Sequence, residues 1–122
     1  MAKAELAIAW FPARDFELAL ELWPEFIEWP VTDHPDYCEH IEGELRKFGA
    51  DATMAVAPIR LDDYLPWCEA ENRDPSTPET RARYAAILIS EGRVVPWPPE
   101  QNAPCWCSSA QKYKWCCGRN RI

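Results

Sequence analysis

Leu6-Ala7-Ile8-Ala9-Trp10-Phe11 sets Leu6, Ile8 and Trp10 in alternation with Ala7, Ala9 and Phe11. Alternation with a period of two is the signature of a strand, and Pro12 ends it. This strand decides the fold class, because the next stretch of chain is helical. Phe16, Ala19, Leu20 and Trp23 recur at helical spacing behind Asp15, an expected N-cap, until Pro24 stops the run. Pro30 to Pro35 reads as a connector. A second helix is expected from a cap at Thr32 or Asp33, with Pro35 in its first turn. Tyr37, Cys38, Ile41, Leu45 and Phe48 make its apolar face, and Gly49 is its stop.

Thr53 to Ile59 is the second expected strand, placed near an edge by Pro58. A third helix follows a cap at Asp62, with Leu61, Tyr64, Leu65 and Cys68 inward. A fourth starts at Pro78, carries Tyr84, Ile87 and Leu88 on one side and stops at Gly92. The expectation is an α/β (or α+β) layer with about two strands and four helices, ending in a C-terminal zinc knuckle. Residues 1–93 would form an acidic body. Residues 94–103, with Pro96, Pro98 and Pro99 around Trp97, read as a semi-rigid linker, and 104–122 as a separate metal-binding motif.

Charge and cysteines divide the chain at the same place. The 122 residues carry a net charge of −7. Residues 1–100 hold 9 bases and 20 acids, a net of −11, while the rest holds Lys112, Lys114, Arg119 and Arg121 and no acid, a net of +4. An acidic body argues against phosphate binding, which needs an excess of Lys and Arg. Arg81 and Arg83, two apart, do not share a helix face. No apolar run approaches the length of a membrane span. No basic, apolar leader follows Met1, so the expectation is a cytoplasmic protein.

Cys105-Trp106-Cys107, eight residues, then Cys116-Cys117 is the strongest chemical signal. Four thiolates in two pairs, joined by a loop that can double back, can surround one tetrahedral ion. Zinc suits them, having no redox chemistry and no d-electron geometry to satisfy. Two disulfides are the competing reading, opposed by the strain of bridging adjacent cysteines and by a reducing compartment. An iron–sulfur cluster is the other, opposed by the tight ligand spacing. The apolar side chains Trp106, Tyr113, Trp115 and Ile122 are too few for a core. A structural zinc, worth ~10–16 kcal/mol, would therefore carry much of the folding of this segment. Loss of Cys105 or Cys116 is expected to unfold the tail and spare the body.

Asn102 to Gly118 resembles the SEC-C motif, the short zinc-binding tail of the SecA preprotein translocase ATPase and of many small bacterial proteins. The family pattern runs Asn-Asp-Pro-Cys-x-Cys, then Gly-Ser-Gly-Lys-Lys-Tyr/Phe-Lys, then Cys followed by Cys or His. The resemblance implies that Cys105, Cys107, Cys116 and Cys117 are the zinc ligands. Ser108 and Ala110 stand where the family has glycine, and Gln111 where it often has lysine. If those turns need positive φ, the loop is strained.

Four protein ligands close the ion to water and substrate, so the metal reads as structural, not hydrolytic. An exposed face of Trp106, Lys112, Tyr113, Lys114 and Trp115 would then bind a partner, most simply a protein. The resemblance also implies chaperones, ribosomes or acidic phospholipids as partners, and the basic tail makes a ribosome or RNA partner the further reading. The competing reading packs Trp106 and Trp115 against the body. His34, Cys38 and His40 are close in sequence but read as a helix-surface histidine pair and a half-buried thiol. Cys68 reads as a small core residue, and Glu17, Glu21, Glu25 and Glu28 as a solvated face. No nucleophile elbow, phosphate loop or dinucleotide fingerprint is present, so an enzyme site in the body is the alternative without a motif.

Overall fold

The computed structural model describes residues 6–26, 31, 33–48 and 53–119. The element order is β1 (Leu6–Trp10), α1 (Ala13–Leu22), α2 (His34–Phe48), β2 (Met54–Pro58), α3 (Leu61–Ala70), α4 (Pro78–Ser90) and β3 (Val95–Trp97), with a 3-10 turn over Tyr113–Trp115. The mixed α/β class is as the sequence implied, with three strands where two were expected. Thr32, Gly49, Glu28, Pro30, Arg121 and Ile122, each assigned a part by the sequence pattern, lie outside the described residues.

The sheet order is β1-β2-β3. β1 and β2 are parallel, with Leu6 opposite Met54 and Trp10 opposite Pro58. Parallel neighbours need a long crossover, which α1 and α2 supply. β2 has a strand on each side, and Met54, Ala55, Val56 and Ala57 are all buried. That is why its sequence is a continuous apolar run without alternation. α4 packs across β1 and β2, and α2 packs on β1.

β3 corrects the linker reading of residues 94–103. Val95–Trp97 pairs antiparallel with β2, placing Pro96 opposite Ala55 and Trp97 opposite Met54. The extended backbone that proline favours is also strand backbone, and an edge strand tolerates a missing N–H. Trp97 is buried, so the segment ties the tail to the sheet.

Two caps differ from expectation. Asp15 does not cap its own helix; Pro12 holds that position. Asp15 is buried in the first turn of α1, and its Oδ1 accepts the Leu61 N–H at 3.0 Å. It therefore satisfies the start of α3, whose N-cap residue is Arg60 and not Asp62. This bond pins the starts of α1 and α3 together across 46 residues of chain. Elsewhere Asp33 Oδ1 accepts from Asp36 N at 2.9 Å, and Thr77 Oγ1 accepts from Thr80 N at 3.2 Å ahead of Pro78. Phe48 is exposed and not inward, since it ends α2 beyond the core.

The core is one cluster. Trp10, Phe16, Tyr37, Leu45, Val56 and Tyr64 of the body belong to it together with Cys105, Trp106, Tyr113 and Cys117 of the tail. Asp15→Ala is expected to destabilise the fold by about 0.5–2 kcal/mol in urea unfolding, as the loss of a buried cap does. Asp15→Asn, which keeps an acceptor, should lose less.

Candidate metal centre

The tail doubles back as a narrow loop. Pro104 and Lys112 form an isolated antiparallel bridge, and Cys105 N donates to Gln111 O at 2.8 Å. Tyr113 N donates to Ala103 O at 2.9 Å, and the 3-10 turn returns the chain so that Cys116 and Cys117 face Cys105 and Cys107. The sulfurs of Cys105, Cys107, Cys116 and Cys117 all lie within 4.8 Å of one another, with Cys107 Sγ and Cys116 Sγ 3.4 Å apart. A tetrahedron of sulfurs around zinc at ~2.3 Å has edges of about 3.8 Å, so these donors fit the ion in number, chemistry and spacing.

The electrostatics of the sulfurs match that role. The Cys107 thiol is held far below the usual range by hydrogen bonds, first from Cys105, then from Cys117 and Cys38. As the donor to Cys107, Cys105 is pushed up to about 12, although the backbone N–H groups of Cys107 and Cys117 also bond its sulfur. Cys117 is raised by its bonds to Cys105 and Cys107 and by burial. Ser109 Oγ lies 3.2 Å from Cys116 Sγ. Cys107 is thus the sulfur on which the neighbouring thiols converge.

Ser108 and Ala110 do adopt positive φ, +65° and +70°. The loop thus keeps the backbone that glycine serves in the family while carrying side chains that resist it. Gly118 is required for a different reason. A Cβ there would stand 2.6 Å from the Tyr113 ring and 2.8 Å from the Tyr113 carbonyl oxygen.

Beneath the loop lies the residue that sequence reasoning missed. Glu42 of α2 is 3% exposed. Its Oε1 accepts the indole N–H groups of Trp97 at 3.1 Å and Trp106 at 3.0 Å, and its Oε2 accepts the Tyr113 hydroxyl at 2.7 Å and Arg46 Nε at 2.9 Å. Arg46 Nη2 also donates to the Cys117 carbonyl at 3.1 Å. Arg119 pairs with Glu39 one turn earlier on α2. The signal was present in sequence. Glu42 stands in the stripe of Cys38, Ile41 and Leu45, where an acid must find partners or unfold the helix from its core.

This arrangement corrects the expected partner face. Trp106 and Tyr113, each 2% exposed, are spent on Glu42, and Trp106 packs edge-on against Trp10 at 5.1 Å. Lys112 is exposed, Lys114 half-buried, and Trp115 is 64% exposed with Lys114 Nζ 5.3 Å from its ring centroid. The two competing readings of the tryptophans thus divide, one to each residue.

Cys38 and His34 are nearer the centre than expected. Cys38 is buried, with its sulfur 3.8 Å from His34 Nδ1, and its thiol is pushed up by the nearby Cys107 and by burial. His34 Nε2 lies 2.8 Å from the Phe11 carbonyl oxygen, which requires the proton on Nε2. His40 turns to Asp36 instead, at 3.9 Å. Cys68 packs in the core as expected, and Glu17, Glu21 and Glu25 are exposed. A cleft of about 510 Å³ elsewhere is lined by Trp23, Pro24, Glu25, Phe26 and Ser76.

A family model for the domain of unknown function DUF8829 matches residues 8–100, and one for the SEC-C motif matches residues 102–119. No curated protein and no solved structure matches the chain. No helix among the described residues is long and apolar enough to cross a membrane.

Three outcomes are expected. Glu42→Ala removes the carboxylate that accepts the Trp97 and Trp106 indole N–H groups, the Tyr113 hydroxyl and Arg46, and should cost about 3–5 kcal/mol in chemical unfolding of the metal-loaded protein. Ala110→Gly trades ~1–2 kcal/mol of left-handed strain against ~0.5–1 kcal/mol of added chain entropy, a net gain of about 0.5–1 kcal/mol. At neutral pH metal binding must strip protons from Cys105 and Cys117, whose thiols are raised, but not from Cys107. Titration calorimetry in buffers of different ionisation enthalpy should count at least two protons released, with affinity falling as pH falls.

Proposed function

Starting from the premise that the chain belongs to the DUF8829 family and ends in a SEC-C motif, we propose that it is a zinc-binding, non-enzymatic cytoplasmic protein. Its knuckle recognises a protein partner through Lys112, Lys114 and Trp115. The zinc is structural. Cys105, Cys107, Cys116 and Cys117 would hold the ion with four protein ligands, and bound there it would brace the loop and not activate water. The observation that carries the reading is Trp115. A tryptophan 64% exposed, beside a lysine stacked over it, sits on a loop whose other aromatics are clamped to the body. Exposed aromatic and basic groups on a rigid support are what interface cores are made from. The Glu42 clamp also supports an adaptor, since it fixes the orientation of the recognition face relative to the acidic body.

An RNA or ribosome partner is the second reading, favoured by the net +4 of residues 101–122. The two differ in salt dependence, which is steep for phosphate contacts.

Elemental analysis of protein purified without added metal should find one zinc per chain. A pull-down with wild type and with the Lys112/Lys114/Trp115 triple alanine variant should lose a protein partner in the variant while zinc content and melting temperature stay unchanged. Absence of zinc in freshly reduced protein rejects the site. Retention of every bound species by the variant rejects the face.

A further inference from the structure

The sheet has two outer edges, and the chain treats them differently. In a parallel ladder, alternate residues of a strand turn their backbone groups to the neighbour. Leu6 N donates to Thr53 O and Trp10 O accepts from Ile59 N. Leu6, Ile8 and Trp10 therefore bond to β2, while Ala7, Ala9 and Phe11 direct N–H and C=O outward. Phe11 is satisfied there by α2. Its N–H donates to the Tyr37 hydroxyl at 3.1 Å, and its carbonyl accepts from His34 Nε2 at 2.8 Å. The outward groups of Ala7 and Ala9 meet no hydrogen-bond partner among the described residues. β3 is the other edge. Ala55 and Ala57 turn to β1, so Met54 and Val56 turn to Trp97 and Val95, and Pro96 faces outward. A proline there offers no N–H to an incoming strand. One edge is blunted and the other is bare.

We infer that the bare edge of β1 pairs with β1 of a second copy of this chain. The open groups are self-complementary. Antiparallel pairing about a two-fold axis through Ile8 sets Ala7 opposite Ala9 of the second copy and Ala9 opposite its Ala7. Each is a hydrogen-bonded pair that exchanges two bonds, and together they use every open group on both strands. Ile8 then faces Ile8 as a non-bonded pair, and Leu6, 53% exposed, falls opposite Trp10. β1 carries no charge, proline or bulge to obstruct the approach. The joined sheet runs β3-β2-β1 and then β1-β2-β3. Both of its ends are the proline-bearing edge, so assembly closes at two copies.

A second copy is the occupant because the incoming strand must bring a free edge of its own, and β1 is the strand with one among the described residues. The open stretch is short, bounded by Phe11 with its α2 partners at one end. A pair of five-residue strands buries less than the roughly 1,200 Å² of a stable complex. The dimer is therefore weak and forms as concentration rises. Charge opposes it, since each copy carries a net −7. Salt screens that repulsion and strengthens the pairing, opposite in sign to its effect on phosphate contacts. The pairing uses no residue of the knuckle and does not depend on the metal reading.

The full-length protein, reduced and with its zinc content measured, is sedimented to equilibrium from micromolar to millimolar concentration. The mass should rise from 14.1 kDa toward twice that value and stop. Salt at about 1 M, where the screening length is about 3 Å, should move the transition to lower concentration. Ala7→Pro removes one outward N–H and no bond to β2, so its monomer should stay folded. By symmetry it deletes two of the interface bonds, and the dimer should weaken about 10- to 30-fold. Hydrogen exchange followed by NMR supplies a reading on wild type alone. The Ala7 and Ala9 amides should exchange freely in dilute protein and gain protection as the mass doubles, while the inward Ile8 amide is protected throughout. A monomer at every concentration, growth beyond two copies, or doubling without protection at Ala7 and Ala9 overturns the inference. So does a folded Ala7→Pro that pairs as tightly as wild type. If that variant does not fold, the wild-type exchange decides. Absence of zinc overturns the metal reading and leaves this test intact.

Discussion

The Glu42 carboxylate is the constraint on which the arrangement of body and tail depends. A carboxylate taken out of water loses several kcal/mol of hydration, and only a full set of donors can replace it. Here the donors come from three separate places: Trp97 on β3, Trp106 in the first half of the knuckle and Tyr113 in the second, with Arg46 beside them on α2. None of these groups is adjacent to another in the chain. The carboxylate therefore sets the register of β3, the docking of the loop and the direction of the return segment at once.

That clamp changes what the four cysteines mean. A metal-binding tail on a mobile linker would fold or unfold by itself. In this molecule the knuckle shares its aromatic residues with the core of the body, and Trp10 of β1 packs on Trp106. Because Trp106 covers Trp10 and Glu42, a ligand substitution that unfolds the tail would expose part of β1 and α2 as well. The same coupling orients Trp115, whose ring is outside the core and beside Lys114.

Charge and strain fit this picture. The acidic body meets the basic tail through Arg119 with Glu39, and Arg46 of α2 reaches across to the Cys117 carbonyl. Glu42 is buried and satisfied on both oxygens, while its partner Arg46 is half-buried. The Glu39 pair is half-exposed and adds orientation more than stability. The positive φ of Ser108 and Ala110 is strain held in place by the ligand geometry on either side.

Local rules made much of this legible in the residues alone. β1 followed from alternation, the helices from apolar periodicity, and the metal centre from cysteine spacing, because each of these depends on neighbours close in the chain. Positive φ at Ser108 and Ala110 was foreseeable from the glycines they replace. Three features needed the tertiary structure. β3 was hidden because prolines mark both linkers and edge strands, and only β2 at its side chooses between them. Asp15 caps α3 rather than α1 because the partner N–H is 46 residues away. Trp106 and Tyr113 turn inward, while Trp115 turns out, because Glu42 of a distant helix collects the first two. Sequence determines which side chains can bind a metal or fill a core; which of several like side chains is spent on an interior partner depends on what folding brings opposite them.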